Sequence, residues 1–288
     1  MNLQSAEFLK ALKMLTIKSK HDFPGQRIGE RKTKRKGGSV EFKDFKEYDP
    51  GDDIRFIDWN LWARLDKLFI KIFHNEENQN IFILFDTSRS MKFGTNSKWE
   101  FMLSFVAAIS YVSLHNGDFV KLYPFATNIN NLFPLSTNPG NYPKMISLLE
   151  ALEDSREADL INSVTSFLQN EKKKGILFVV SDFFYNLEEI EAALKKIRWH
   201  NYETTIIQVL AEEEIEPPYS GLLELIDAET NKSLEIELNA AYRLEYQRVF
   251  EEHTGGVAKM ARKYGMGYFM SSTGTPFHEF ILRILYKS

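Results

Sequence analysis

The chain has 288 residues, 43% of them hydrophobic and 26% charged, which excludes wholesale disorder and suits one large α/β domain or one domain with attachments. A net charge of -4 argues against general affinity for nucleic acid. The absence of cysteine excludes disulfides, thiolate catalysis, Cys-ligated zinc and iron–sulfur clusters, and fits a reducing, cytoplasmic setting.

The opening "MNLQSAEFLKALKMLTIKSK" lacks the apolar core and cleavage site of a signal peptide, and no apolar run approaches the roughly 18–20 residues of a membrane span. It reads as an amphipathic helix with Phe8, Leu12 and Leu15 on one face, Leu9 beside them, and Lys10, Lys13, Lys18 and Lys20 making it basic. Such a helix packs on its own domain, or makes a peripheral contact with a membrane surface or a partner. The stretch "PGQRIGERKTKRKGG" (24–38) is a basic loop, either solvated or in contact with an anion, an acidic partner or nucleic acid; without interleaved aromatics the last is weak.

From Ser39, "SVEFKDFKEY" is extended, with Val40, Phe42 and, after a slip, Phe45 in alternation. "DPGDD" (49–53) is a turn around Pro50 and Gly51. In "DPGDDIRFIDWNLWAR", Asp52, Asp53, Arg55, Asp58 and Arg64 interleave with Ile54, Phe56, Ile57, Trp59 and Trp62. This predicts a packed corner with Trp and Ile inside; a partner-docking surface is the other reading. "LFIKIFHNEENQNIFILF" reads as two strands joined by polar residues 75–80. Residues 1–75 thus form an N-terminal region, and 76–288 the main domain.

Beyond Asp86 the period changes. An amphipathic helix is expected over 98–115, with Phe101, Phe105, Ala108, Ile109 and Val112 inward. Strand 118–126, helices near 142–152 and 159–170, strand 175–182, helix 187–199 and strand 204–210 follow. A hairpin over 222–238 with Thr230 and Asn231 near its turn, a long helix 239–264 stopping near Gly265, a short strand "GYFMS" and a last helix 276–287 complete the chain. Apolar strands alternating with amphipathic helices predict an α/β fold: a mainly parallel central sheet flanked by helices, with a late β-hairpin. Ligands of such sheets sit beyond the carboxyl ends of the strands, where Asp86 and Asp182 should both lie.

Asp86-x-Ser88-x-Ser90 puts a carboxylate and two hydroxyls on a short loop, and Asp182 arrives from a second strand end. Hard oxygen donors suit Mg2+ or Mn2+. With so few carboxylates, an ion there would keep waters and accept a carboxylate from another protein, which is adhesion rather than hydrolysis. Taken singly, Ser88 and Ser90 could cap the next helix, Asp86 could satisfy loop amides, and Asp182 could cap the helix after its strand. A metal-dependent phosphoester hydrolase is the competing class, but the second acid it needs falls on Ser88. Phosphate-loop and nucleophile-elbow motifs are absent, and the six histidines have no H-x-x-x-H spacing.

"FDTSRSM" before a helix, with "VVSDF" later, resembles the von Willebrand factor A fold and its metal-ion-dependent adhesion site. Upstream, Tyr48, Pro50, Gly51, Asp52, Asp53, Arg55, Ile57, Asp58, Trp59, Ala63 and Arg64 are similar to the signature of the bacterial family called domain of unknown function fifty-eight. The resemblance implies Rossmann-type layering and a metal site of Asp86, Ser88, Ser90 and Asp182. It also implies a non-enzymatic role as adaptor or chaperone-like partner of a MoxR-type AAA+ ATPase. One position departs: Ala158, in "READL", stands where the family's adhesion site usually has a threonine, followed here by Asp159. A missing hydroxyl lowers metal affinity or leaves a vestigial, metal-free scaffold; Thr127 substitutes only if its loop reaches across.

Overall fold

The computed structural model describes residues 10, 12, 40–75, 78–125, 133–155, 159–226 and 233–286. They fall into two compact units, one within Ile28–Asn78 and the other made of Gln79–Ser288 with the N-terminal residues. The basic loop, Thr127, Ala158 and the hairpin tip at Thr230 and Asn231 lie outside the described residues.

In the smaller unit, β1 (Val40–Glu47) pairs antiparallel with β2 (Phe69–Asn75), and the slip in the sequence alternation is a β-bulge between Phe42 and Asp44. The "DPGDD" turn forms as expected: Asp52 N donates to Asp49 O and Gly51 takes φ +114°. The next segment corrects the packed corner. Asp58 accepts from Asn60 N and Leu61 N and thereby starts a helix, α1 (Trp59–Leu65), that periodicity did not signal. Trp59 and Trp62, one turn apart, share a face of it and are 60% and 45% exposed, their rings edge-to-face at 6.1 Å. Only Ile57 of the apolar set is buried, bridged to Ile70, while Asp58 pairs with Lys71 at 2.9 Å.

The larger unit is built on six strands: β3 (Asn80–Asp86), β4 (Phe119–Phe125), β5 (Phe133–Ser136), β6 (Ile176–Ser181), β7 (Glu203–Leu210) and, late in the chain, a strand over Gly267–Ser272. A separate antiparallel hairpin, β8 (Gly221–Ile226) with β9 (Ser233–Leu238), precedes that last strand, which is therefore β10. The sheet order is β10-β7-β6-β3-β4-β5, parallel except for β5 at one edge. Numbered within the sheet this is 3-2-1-4-5-6, a doubly wound order whose reversal lies between β3 and β6. It is the von Willebrand factor A-like arrangement that the resemblance implies.

Helices cover both faces: α2 (Lys98–His115), α3 (Tyr142–Glu150), α4 (Leu160–Asn170), α5 (Leu187–Trp199), the short α6 (Glu212–Ile215), α7 (Ala240–Lys263) and α8 (Phe277–Tyr286). Alternation along β3 sorts the core. Ile81, Ile83 and Phe85 join α2, α3 and α8, whereas Phe82 and Leu84 join α4, α5 and α7. Leu12 is buried in the first cluster, so that residue of the N-terminal segment packs on the larger unit. Among the described residues no helix is long and apolar enough to cross a membrane.

Two further details differ from expectation. α2 is buried on all sides from Lys98 to Leu114 instead of being amphipathic, apart from exposed Glu100; its polar residues are mostly serines, and it has no continuous charged face. β5 escaped notice because Pro134 breaks a strand pattern, and a proline is admitted at this antiparallel edge.

Candidate functional site

β3 and β6 are neighbours, so Asp86 and the loop after Ser181 emerge side by side at the switch point. Asp86 is fully buried and accepts three hydrogen bonds. Its Oδ1 accepts from Ser88 N at 2.9 Å, and its Oδ2 accepts from Ser181 Oγ at 2.6 Å and Tyr185 OH at 2.9 Å. Burial, and then the negative charge of Asp182, push its carboxyl up to about 6 against these bonds. Ser88 Oγ lies 2.9 Å from Ser90 Oγ, and Ser90 Oγ donates to Asp182 Oδ2 at 3.2 Å. All four predicted oxygens therefore belong to one network. Ser90 is its half-buried member, while Arg89 and Phe93 of the same segment and Phe184 of the loop after β6 are exposed.

The capping roles go to other residues. Ser97 caps α2, Asn186 occupies the cap of α5, and Asp159 caps α4 by accepting from Asn162 N. Ser88 makes no side-chain cap bond. Asp86 does satisfy one loop amide, that of Ser88. Ser155 runs beside the first loop, paired with Ser88 in a parallel bridge and donating its hydroxyl to Thr87 O at 3.0 Å.

The loop after β6 is fixed by unusual backbone. Phe183 adopts φ +55°, a left-handed conformation costing a non-glycine residue about 1–2 kcal/mol. Its fully buried ring fills the core, Phe183 N donates to Ser181 Oγ, and its carbonyl accepts from His253 Nε2 at 2.8 Å. That conformation lets Phe184 N donate to Asp182 Oδ1. Gln208 Nε2, itself bonded through Oε1 to Tyr268 OH, holds the Asp182 carbonyl.

Sequence reasoning missed Lys98 and Glu214. Lys98 Nζ is buried and donates at 2.6 Å to both Asp182 Oδ2 and Glu214 Oε1. Burial pushes the ammonium's pKa down, but the two carboxylates outweigh it and hold the group above its ordinary value. Glu214 is shifted up by burial, with Lys98 opposing; its other oxygen accepts from Ala211 N at 2.8 Å. A signal for Lys98 existed, because a cation on a helix's first turn opposes the macrodipole and needs a reason. Glu214, hidden in "EEEIE", gave none.

Among the described residues no three Asp, Glu or His side chains converge as a ready ligand set. A cation would thus take hydroxyl and water oxygens alongside Asp86. The carboxylate and hydroxyl oxygens are the hard donors such an ion takes; the Ser88–Ser90 separation of 2.9 Å is that of the hydrogen bond between them.

Uncharacterized proteins of Mycobacterium tuberculosis and Mycobacterium bovis are each 23% identical over 269 residues, 92% of this chain and 84% of theirs. Among solved structures, the chain is similar to the conserved hypothetical protein BatB from Bacteroides thetaiotaomicron (TM-score 0.44, 15% identity, covering 73% of this chain and 100% of that one). It is also similar to the SpRpn10 VWA domain (TM-score 0.44, 10% identity, 74% and 98%). The family described as "Protein of unknown function DUF58" matches residues 44–255, a stretch that includes Asp86, Ser88, Ser90, Lys98, Asp182 and Glu214, and the chain belongs to that family.

Proposed function

We propose that this protein is a non-enzymatic binding adaptor whose site at the β3–β6 switch point engages an acidic side chain of a protein partner through a divalent cation. The observation that carries this reading is the convergence of Asp86, Ser88, Ser90 and Asp182 into one network, in which Ser90 is half-buried. Asp86, Ser88 and Ser90 would hold Mg2+ or Mn2+, with Asp182 acting through water. Charge supports it: ionised Asp86, Asp182 and Glu214 against Lys98 leave two uncompensated negative charges, the amount a divalent ion neutralises. The ion would supply Lewis acidity toward an incoming carboxylate. The chain's residues would orient it.

The resemblance suggests a MoxR-type AAA+ ATPase as the partner, and the absence of cysteine fits the cytoplasm as the setting. Isothermal titration with Mg2+ and Mn2+ tests the metal, with binding expected in wild type and lost in Ser88→Ala/Ser90→Ala. No binding at millimolar metal, or binding unchanged in Asp86→Ala, rejects it. Pull-down of the ATPase with and without chelator tests the partner.

A second reading, a metal-free scaffold, is favoured by Lys98, whose ammonium already holds Asp182. Partner capture undiminished by chelator would decide for it. Hydrolysis is the weaker class, because Ser88 occupies the second-acid position; phosphoester turnover lost in Asp86→Asn would revive it.

A further inference from the structure

Lys98 is what separates this site from a plain oxygen cage. A buried ammonium is tolerated only when paired, and this one is paired twice. Its partners come from different places. Asp182 follows β6, Glu214 belongs to α6 after β7, and Lys98 opens the helix that follows the β3 loop. Neighbouring bonds reinforce the connection: Glu213 Oε1 accepts from Thr95 N and Oγ1 at 2.8 and 2.6 Å, and Tyr246 OH of α7 donates to Glu214 O at 2.6 Å. One positive charge thus pairs with two buried carboxylates and cross-links three segments at the carboxyl end of the sheet. Those are the two structural tasks of a metal ion among oxygen ligands.

We propose that Lys98 is a resident cation of this site. It keeps the three segments assembled without metal and occupies Asp182, so that a divalent ion is left with Asp86, Ser88 and Ser90 and is held weakly. The first half stands on the ion pairs alone; the second rests on the metal reading above. Replacing the ammonium by an uncharged side chain of similar length leaves Asp182 and Glu214 without a counter-charge and turns the pocket into a site that needs metal.

The test is thermal unfolding of the full chain carrying Lys98→Met, in chelator and in about 10 mM Mg2+ or Mn2+, with calorimetric titration of the same metals. Wild type should unfold at temperatures no more than about 5 °C apart in the two conditions. The variant should lose roughly 10 °C in chelator, regain most of it with metal, and bind metal about tenfold tighter than wild type. An unchanged unfolding temperature in chelator overturns the proposal. So does a loss that no cation restores, which would make Lys98 a structural ion pair only.

The arms separate the two ideas. Rescue of the variant by metal that wild type does not bind supports the resident cation and rejects the metal-bridged adaptor. Metal binding to wild type without rescue of the variant does the reverse. Should Lys98→Met fail to accumulate, Lys98→Met with Glu214→Gln removes one charge of each sign. A metal-dependent rise in unfolding temperature is expected there too, and its absence overturns the proposal.

Discussion

Asp118 shows how far a single carboxylate can be moved by burial alone. It sits between α2 and β4, 8% exposed, with Gln79 N donating to its Oδ1 at 2.9 Å. Burial pushes it up to about 6 despite that bond, above an unfolded value near 3.8. A raised carboxyl favours the folded state while protonated. Its contribution is therefore complete below about 3.8 and is lost as pH rises through about 6. Asp118→Asn should flatten the difference in unfolding free energy between about pH 4 and pH 7 by roughly 2–3 kcal/mol, read from urea titrations at the two values. Side chains at this scale were legible where meaning is local. Asp86, Ser88 and Ser90 declare themselves by spacing, and Asp182 by ending an apolar run. Lys98 did not, since its role is set by Glu214, 116 positions away.

Among elements, the apolar strands and most helices could be read in the sequence because each carries its own period. The exceptions have local physical causes. α1 is started by one capping aspartate, Asp58, and presents its tryptophans outward, so apolar content misled. β5 contains a proline, which only its edge position excuses. α2 is inward on every face, and a search for one stripe saw only part of it. Close pairing of elements also imposes a demand that no period reveals. At Gly175, entering β6, a Cβ would stand 2.0 Å from the Asn80 carbonyl oxygen at the start of β3. Gly175→Ala must push the two central strands apart at that end and should cost about 1–3 kcal/mol in urea unfolding.

At the scale of the molecule, the chain contributes Leu12 to the larger unit, passes through the smaller unit, and then returns as β3. The stability of the larger unit therefore depends on residues before the family signature. Leu12→Ala should cost about 2–4 kcal/mol, measured by denaturant unfolding, although it lies far in sequence from any strand of the sheet. The order of the strands has a kinetic consequence too. Ser181 and Asp86 bond across a separation of 95 positions, and β3–β6 is the least local pairing in the sheet. Closing so long a loop is entropically late, after the more local β3–β4 and β6–β7 pairs. Ser181→Ala should then speed unfolding in stopped-flow traces and leave the refolding rate nearly unchanged. A refolding chain would assemble the Asp86–Asp182 network only at the final closure, so any partner that recognised this network would distinguish finished molecules from unfinished ones.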